Sequence, residues 1–220
     1  WPTYSEIKYD QRAYNNSALV GLRLDAEQFN SVPNRKYLIK GIKVKVPHNA
    51  SVRADGSLSY SGVFNGTLGA AVYTNDPCWC LYDLLVSSRY GLGDHLTESK
   101  LDKFAFYSAS QYASAQVDDG TGTGGTEPRF SCNVSIQSPE EAYKIINQMT
   151  SIFRAMPFWA AGSLTLGTDS PKDSSYLFTL ANVAEPGFSY ANSSQKTRAT
   201  VAVVKYMDLN LRDINYQEVR

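Results

Sequence analysis

Residues 75–93, NDPCWCLYDLLVSSRYGLG, constrain this chain more than any other stretch, because they hold both the start and the stop of a helix. Asp76 stands where a carboxylate accepts a first-turn N–H, and Pro77, at the first helical position, gives up a donor that would have had no partner anyway. Trp79, Tyr82, Leu85, Val86 and Tyr90 then recur in three- and four-residue steps. One apolar stripe therefore faces a core, while Ser87, Ser88 and Arg89 fall toward the end. Gly91 and Gly93 stop the helix. No acid, base or nucleophile converges on the stripe, so it reads as a packing element.

Strand patterns precede this helix. Ala18, Val20, Leu22 and Leu24 alternate with small or polar residues, and between Tyr37 and Val46 the apolar Ile42, Val44 and Val46 alternate with Lys43 and Lys45, as in a half-exposed sheet that Pro47 closes. Ala54-Asp55-Gly56 supplies turn chemistry, and residues 57–64 form a hairpin or exposed ribbon. A second helix is expected over 98–116, with Leu101, Phe104, Ala105, Tyr107 and Tyr112 on its aromatic face. The glycine-rich DDGTGTGGT of residues 118–126 follows as a flexible loop, and no lysine stands in Walker spacing to make it a phosphate cradle. Ser138, Pro139 and Glu141 form a capping-box signature for a third helix over 139–156, with Ile145, Ile146, Met149, Ile152 and Phe153 as its buried stripe. After Pro157 strands return at 164–166, 176–180 and 200–206. These elements predict an α+β fold with β-rich parts at 1–74 and 157–220 flanking a three-helix middle at 75–156, with helices over 77–89, 98–116 and 139–156.

Composition narrows the function classes. Lys+Arg and Asp+Glu each total 21, so no net field draws the chain to nucleic acid or to an anionic membrane. Hydrophobic residues at 43% and 15 tyrosines describe a β-leaning globular chain, and no apolar run approaches a membrane span. The opening WPTYSEIKYD has neither the basic start nor the apolar centre of a signal peptide. A chain that starts without Met and ends in charged sequence at Glu218 to Arg220 is expected to be an internal piece of a longer protein. Cys78 and Cys80, two residues apart on a helix, point to different sides, and with Cys132 on a strand and only His48 and His95 in support they make neither a disulfide nor a zinc site. Reduced, packed cysteines fit assembly in a reducing cytoplasm. Sequons at Asn49 and Asn65 are what a Ser/Thr-rich chain produces freely.

Candidate chemistry is sparse. Asp94 and His95 are sequence neighbours, a poor basis for triad geometry, and His48 lies in a turn after Pro47. For a pair of hydrolytic carboxylates the chain offers Asp76, Asp83, Asp118, Asp119 and Glu127, but the sequence places no two of them at the needed separation, and Asp76 is better used as a cap, Asp118 and Asp119 as the lead-in to the glycine segment and Glu127 as a loop residue. Tyr60 and Phe64 are the ribbon aromatics available to stack on a sugar or meet a receptor, against a plainer role in hairpin packing. No catalytic, cofactor-binding or metal-binding residue is therefore assigned.

The wording of several segments goes further. The helix at 75–93, NSALVGLRLD at 16–25, SVPNRKYLIKGIKVKVPHN at 31–49, EPRFSCN at 127–133, and the stretches 141–156 and 182–208 occur in the same order as similar segments of one family. In them the chain resembles the tail tip attachment proteins J of lambda-like siphophages, the central hub proteins of the tail. The resemblance implies a structural virion component in the phage tail, with other tail proteins as partners, trimeric when full-length, and with receptor recognition in a distal C-terminal region. A glycan- or receptor-binding module is the alternative, and a cell-wall hydrolase domain a more distant one. At Asp94-His95 the chain departs from the basic residues of the family wording, so no role is carried over there.

Overall fold

The computed structural model describes residues 17, 19–25, 27–35, 37–136, 140–194, 197–208 and 213–219. Two compact units divide at Asp169/Ser170. The first begins its regular structure at β1 (Val44–Pro47), followed by β2 (Ala50–Val52), β3 (Leu58–Tyr60) and β4 (Leu68–Val72). β1 pairs antiparallel with β4, Val44 opposite Val72, and β2 with β3, Ala50 opposite Tyr60. The β2–β3 turn is the one expected at Ala54-Asp55-Gly56: Gly56 sits at φ 86°, and Asp55 accepts the Ser57 N–H at 2.9 Å. Strand character does not extend upstream as the alternation predicts. Val20, Leu22, Leu24 and Ile42 are exposed and outside any ladder, and Ala18 lies outside the described residues. A strand needs a neighbour to take its N–H and C=O groups, and β4 runs beside only Val44–Pro47.

Helix α1 (Pro77–Val86) begins where expected and buries Cys78, Trp79, Leu81, Tyr82 and Leu85. It ends sooner than 89, at Ser87, with Tyr90 in a turn beyond it. The two glycines act after the helix: Leu92 N–H reaches back to the Leu84 carbonyl at 3.1 Å, and a Cβ on Gly91 would stand 1.7 Å from that same oxygen. Only glycine lets the chain fold so closely over the helix end.

The expected helix over 98–116 is divided. A 3-10 turn (Glu98–Lys100) comes first, Leu101 bridges to Leu164, and Asp102 caps α2 (Lys103–Ala113). The helix then gives way to β5 (Gln116–Asp118), which pairs with β6 (Thr126–Pro128) across the glycine segment. The buried stripe of α2 is Phe106, Ala109, Ser110 and Ala113, while Phe104 is exposed, so the inward face is rotated from the one expected.

Helix α3 (Ala142–Ile152) is shorter than 139–156 at both ends. Ser138 and Pro139 lie outside the described residues, and Glu141 occupies the cap position without a side-chain cap bond, so it does not serve as the third residue of a capping box. Arg154, at φ 54°, breaks the helix, and Met156 belongs to β7 (Ala155–Ala160). β7 turns at Ala161-Gly162, both at positive φ, into β8 (Ser163–Thr168), whose Leu164 and Leu166 are buried.

One core joins these pieces: Val44 and Val46 of β1, Leu58 of β3, the α1 and α2 stripes, Met149 and Phe153 at α3, and Leu164 and Leu166 of β8. Cys132 also packs there, from an irregular segment rather than a strand. The second unit contains one antiparallel ribbon, β9 (Ala202–Asp208) with β10 (Asp213–Val219). β9 matches the expected strand at 200–206; residues 176–180 are exposed and irregular instead. The whole is an α+β chain with β-rich flanks around a helical middle. Among the described residues no helix is long and apolar enough to cross a membrane.

Candidate functional site

The most organised polar constellation is buried. Asp76 Oδ1 accepts the N–H groups of Cys78 and Trp79, both at 3.0 Å, and so caps α1. Its Oδ2 accepts the hydroxyls of Ser110 at 2.5 Å and Ser114 at 2.8 Å, both from α2. Trp79 Nε1 donates to the Tyr60 hydroxyl at 3.0 Å, and Tyr60 in turn bonds Ser110. Ser114 Oγ accepts the Leu58 N–H at 3.2 Å, and Arg53 donates to the Ser114 carbonyl at 3.0 Å. Thr74 donates to the Gly56 carbonyl, and Asn75 to that of Asp55, each at 2.8 Å. One carboxylate thus connects the β2–β3 hairpin, α1 and α2. Burial pushes the Asp76 carboxyl above its ordinary value, while the Ser110, Trp79, Ser114 and Cys78 donors pull it back down. Burial and the Asp76 charge also raise the Tyr60 hydroxyl.

This arrangement ties elements together and offers a reactant no approach, since Asp76 is 1% exposed and its oxygens are already occupied by donors. Ser110 and Ser114 escaped the sequence reading. Their signal was present, because Phe106, Ala109, Ser110 and Ala113 share one face of α2 at helical spacing, and a serine inside an apolar stripe needs a buried partner.

The other candidates are scattered. His48 is exposed in the β1–β2 turn, stacks at 6.2 Å on Phe64, and places Nδ1 3.3 Å from the Thr67 carbonyl. His95 and Asp94 are exposed in the turn after α1. Asp83 accepts the Tyr90 hydroxyl. Asp118 accepts the Gly120 N–H at 2.7 Å, and Asp119 accepts that of Thr121 at 2.9 Å, so both serve the glycine segment locally. Glu127 stands opposite Val117 in the ladder, which puts it on the other face from Asp118. Phe64 is buried against Tyr107 at 4.6 Å and Trp79 at 6.4 Å, and Tyr60 is half-buried, so both ribbon aromatics belong to the core.

All three cysteines are free thiols. Burial raises Cys78, Cys80 and Cys132 above the ordinary thiol value, which keeps them protonated and unreactive. Among the described residues no group of three His, Cys, Asp or Glu side chains is placed to hold a metal. Two shallow depressions of about 420 and 430 Å³ share Ile136, Glu140 and Ile145, and among the described residues Glu140 is the only charged one lining either of them.

No protein-family model matches the chain. Similarity to individual proteins is extensive. The Tip attachment protein J of Escherichia phage SECphi27 is 38% identical over 207 residues, covering 94% of this chain and 17% of that relative. The protein of the same name from Escherichia phage SECphi4 is 33% identical over 203 residues, covering 92% of this chain and 17% of the relative. The chain therefore corresponds to one segment, 17% of the length, of the curated relatives it matches. Identity at this level, sustained across nearly the whole chain, places it in the tip attachment protein J family.

Proposed function

We propose that this chain is a structural segment of a phage tail tip, part of the central hub that links the tail tube to the distal host-recognition region. The observation that carries the reading is the similarity of 92% to 94% of the chain to tip attachment proteins J. Within such a hub it works by packing against other tail proteins, as part of a trimer in the full-length assembly. It is assembled in the host cytoplasm and resides in the virion tail. The scattered histidines and carboxylates support a structural rather than an enzymatic role, since each of those described above is exposed or is held by a cap, a turn, a ladder position or one neighbouring side chain.

Phage particles made from the genome that encodes the chain test this directly. An antibody raised against the chain should label the tail tip in electron micrographs, and deletion of its coding segment should abolish infectious particles. Purified chain should not cleave peptidoglycan, polysaccharide or peptide above a no-protein control. Label absent from the tip overturns the assignment, as does hydrolysis abolished by Asp94→Asn, Asp118→Asn, Asp119→Asn or Glu127→Gln with the fold intact.

A further inference from the structure

β1 is the end of a longer strand-forming run. From Tyr37 the sequence reads YLIKGIKVKVP, yet only Val44–Pro47 has a partner strand. β4 ends at Val72, opposite Val44, and the chain then turns through residues 73–76 into α1, so residues 37–43 project past the end of the two-stranded sheet. Among the described residues, residues 30–35 and 37–43 make no backbone hydrogen bond. The projecting side chains are apolar and uncovered: Leu38 is 82%, Ile39 77% and Ile42 59% exposed. Fully extended, the overhang is about 23 Å long, enough for a short strand pairing.

Charge is an independent observation. The whole chain balances 21 basic against 21 acidic residues, but residues 28–54 carry Arg35, Lys36, Lys40, Lys43, Lys45 and Arg53 with no carboxylate. Lys40 lies over the Tyr73 ring at 5.7 Å, and the field of Lys45 reaches Glu98. Lys43 has no ion pair among the described residues. An edge strand carrying lysines repels a second copy of itself, since antiparallel self-pairing brings Lys40 and Lys43 of the two copies together. A polyanion such as nucleic acid would meet the lysines but leave Leu38, Ile39 and Ile42 uncovered.

We propose that residues 37–43 are a docking edge for an extended segment of another protein in which acidic residues alternate with apolar ones, added as a further strand beside the overhang. Backbone hydrogen bonds supply affinity, Leu38 and Ile42 on one face of the overhang bury the partner's apolar side chains, and Lys43 on the opposite face selects its carboxylates. Within the tail-tip reading above, on which this rests, the partner is a neighbouring tail protein.

The test uses the full 220-residue chain and a fluorescent heptapeptide of alternating valine and glutamate, with a valine–lysine peptide, a serine–glutamate peptide and heparin as comparisons. The valine–glutamate peptide should bind at least tenfold tighter than either other peptide and slow amide exchange of residues 38–43. Lys43→Glu should weaken it at least tenfold, and Ile42→Pro should abolish the added protection while the α1 amides stay protected. The proposal fails if the peptide does not bind, if the serine–glutamate peptide or heparin protects the same amides equally, or if the chain self-associates through residues 37–43 and Ile42→Pro returns it to monomer. Failure here with intact labelling of the tail tip overturns only the docking edge; loss of tip labelling overturns the functional reading.

Discussion

Two aspartates in this chain cap helices in the same way, and replacing each by alanine separates the local cap from the buried network. Asp76 and Asp102 both accept two first-turn N–H groups through Oδ1, at 3.0 Å for α1 and 3.1 Å for α2. Removing an exposed cap costs about 1 kcal/mol, because water takes over the donors. Asp102→Ala should cost about 1–2 kcal/mol, since the Phe104 side of its cap is exposed and, among the described residues, the only further bond lost is the one its Oδ2 accepts from the Thr165 hydroxyl at 3.1 Å. Asp76→Ala strands the N–H groups of Cys78 and Trp79 and the hydroxyls of Ser110 and Ser114 in the core. Ser110 can turn to Tyr60, and loss of a buried carboxylate returns part of its desolvation cost; the remaining orphaned donors, at about 1–3 kcal/mol each, leave a net loss of about 3–5 kcal/mol. Against a total stability of about 5–15 kcal/mol this should lower the urea midpoint sharply without unfolding the chain. Equal losses in the two variants, within about 0.5 kcal/mol, would refute the argument that burial of Asp76 sets the difference.

Two further predictions follow from the same core. Because burial raises the Asp76 carboxyl, the folded chain holds that proton more tightly than the unfolded one, so its contribution to stability is full below the ordinary value of 3.8 and declines as pH rises from there through the folded value. Asp55 and Glu98 are shifted down and act in the opposite sense, losing their contribution as pH falls from their ordinary values through the lower folded ones, so the measurement is the difference between wild type and Asp76→Asn in urea unfolding from pH 4 to 7. Wild type should lose ground relative to the variant as pH rises; a flat or rising difference contradicts the shift. Tyr82 is 1% exposed, and its hydroxyl has no partner among the described residues, so Tyr82→Phe should leave stability unchanged or raise it by up to about 1 kcal/mol. A loss of 1 kcal/mol or more in thermal or urea unfolding would show that the hydroxyl is satisfied in solution.

What the sequence determined by itself was local in cause. Asp76-Pro77 started α1 and Asp55-Gly56 formed its turn, because a cap and a positive-φ glycine act over a few residues. The order of strands and helices, and hence the α+β class, followed from such signals and from apolar periodicity. So did the family, since colinear wording along the chain is a property of sequence alone. Tertiary structure decided the rest. Alternation at residues 18–24 and 37–43 promised strands, but a strand exists only where a second one takes its hydrogen bonds, and β4 reaches no further than Val44. The helix expected over 98–116 broke at Leu101 because that residue bridges to Leu164, a partner far along the chain. Gly91 marked the end of α1 but not its place, which depends on the chain folding back onto the Leu84 carbonyl. Asp76 was legible as a cap and not as the centre of a network, because Ser110, Ser114 and Tyr60 reach it only when the β2–β3 hairpin, α1 and α2 pack together. The other candidate residues stayed apart for the same reason: proximity in sequence or shared chemistry does not bring side chains together unless the packing of the core does.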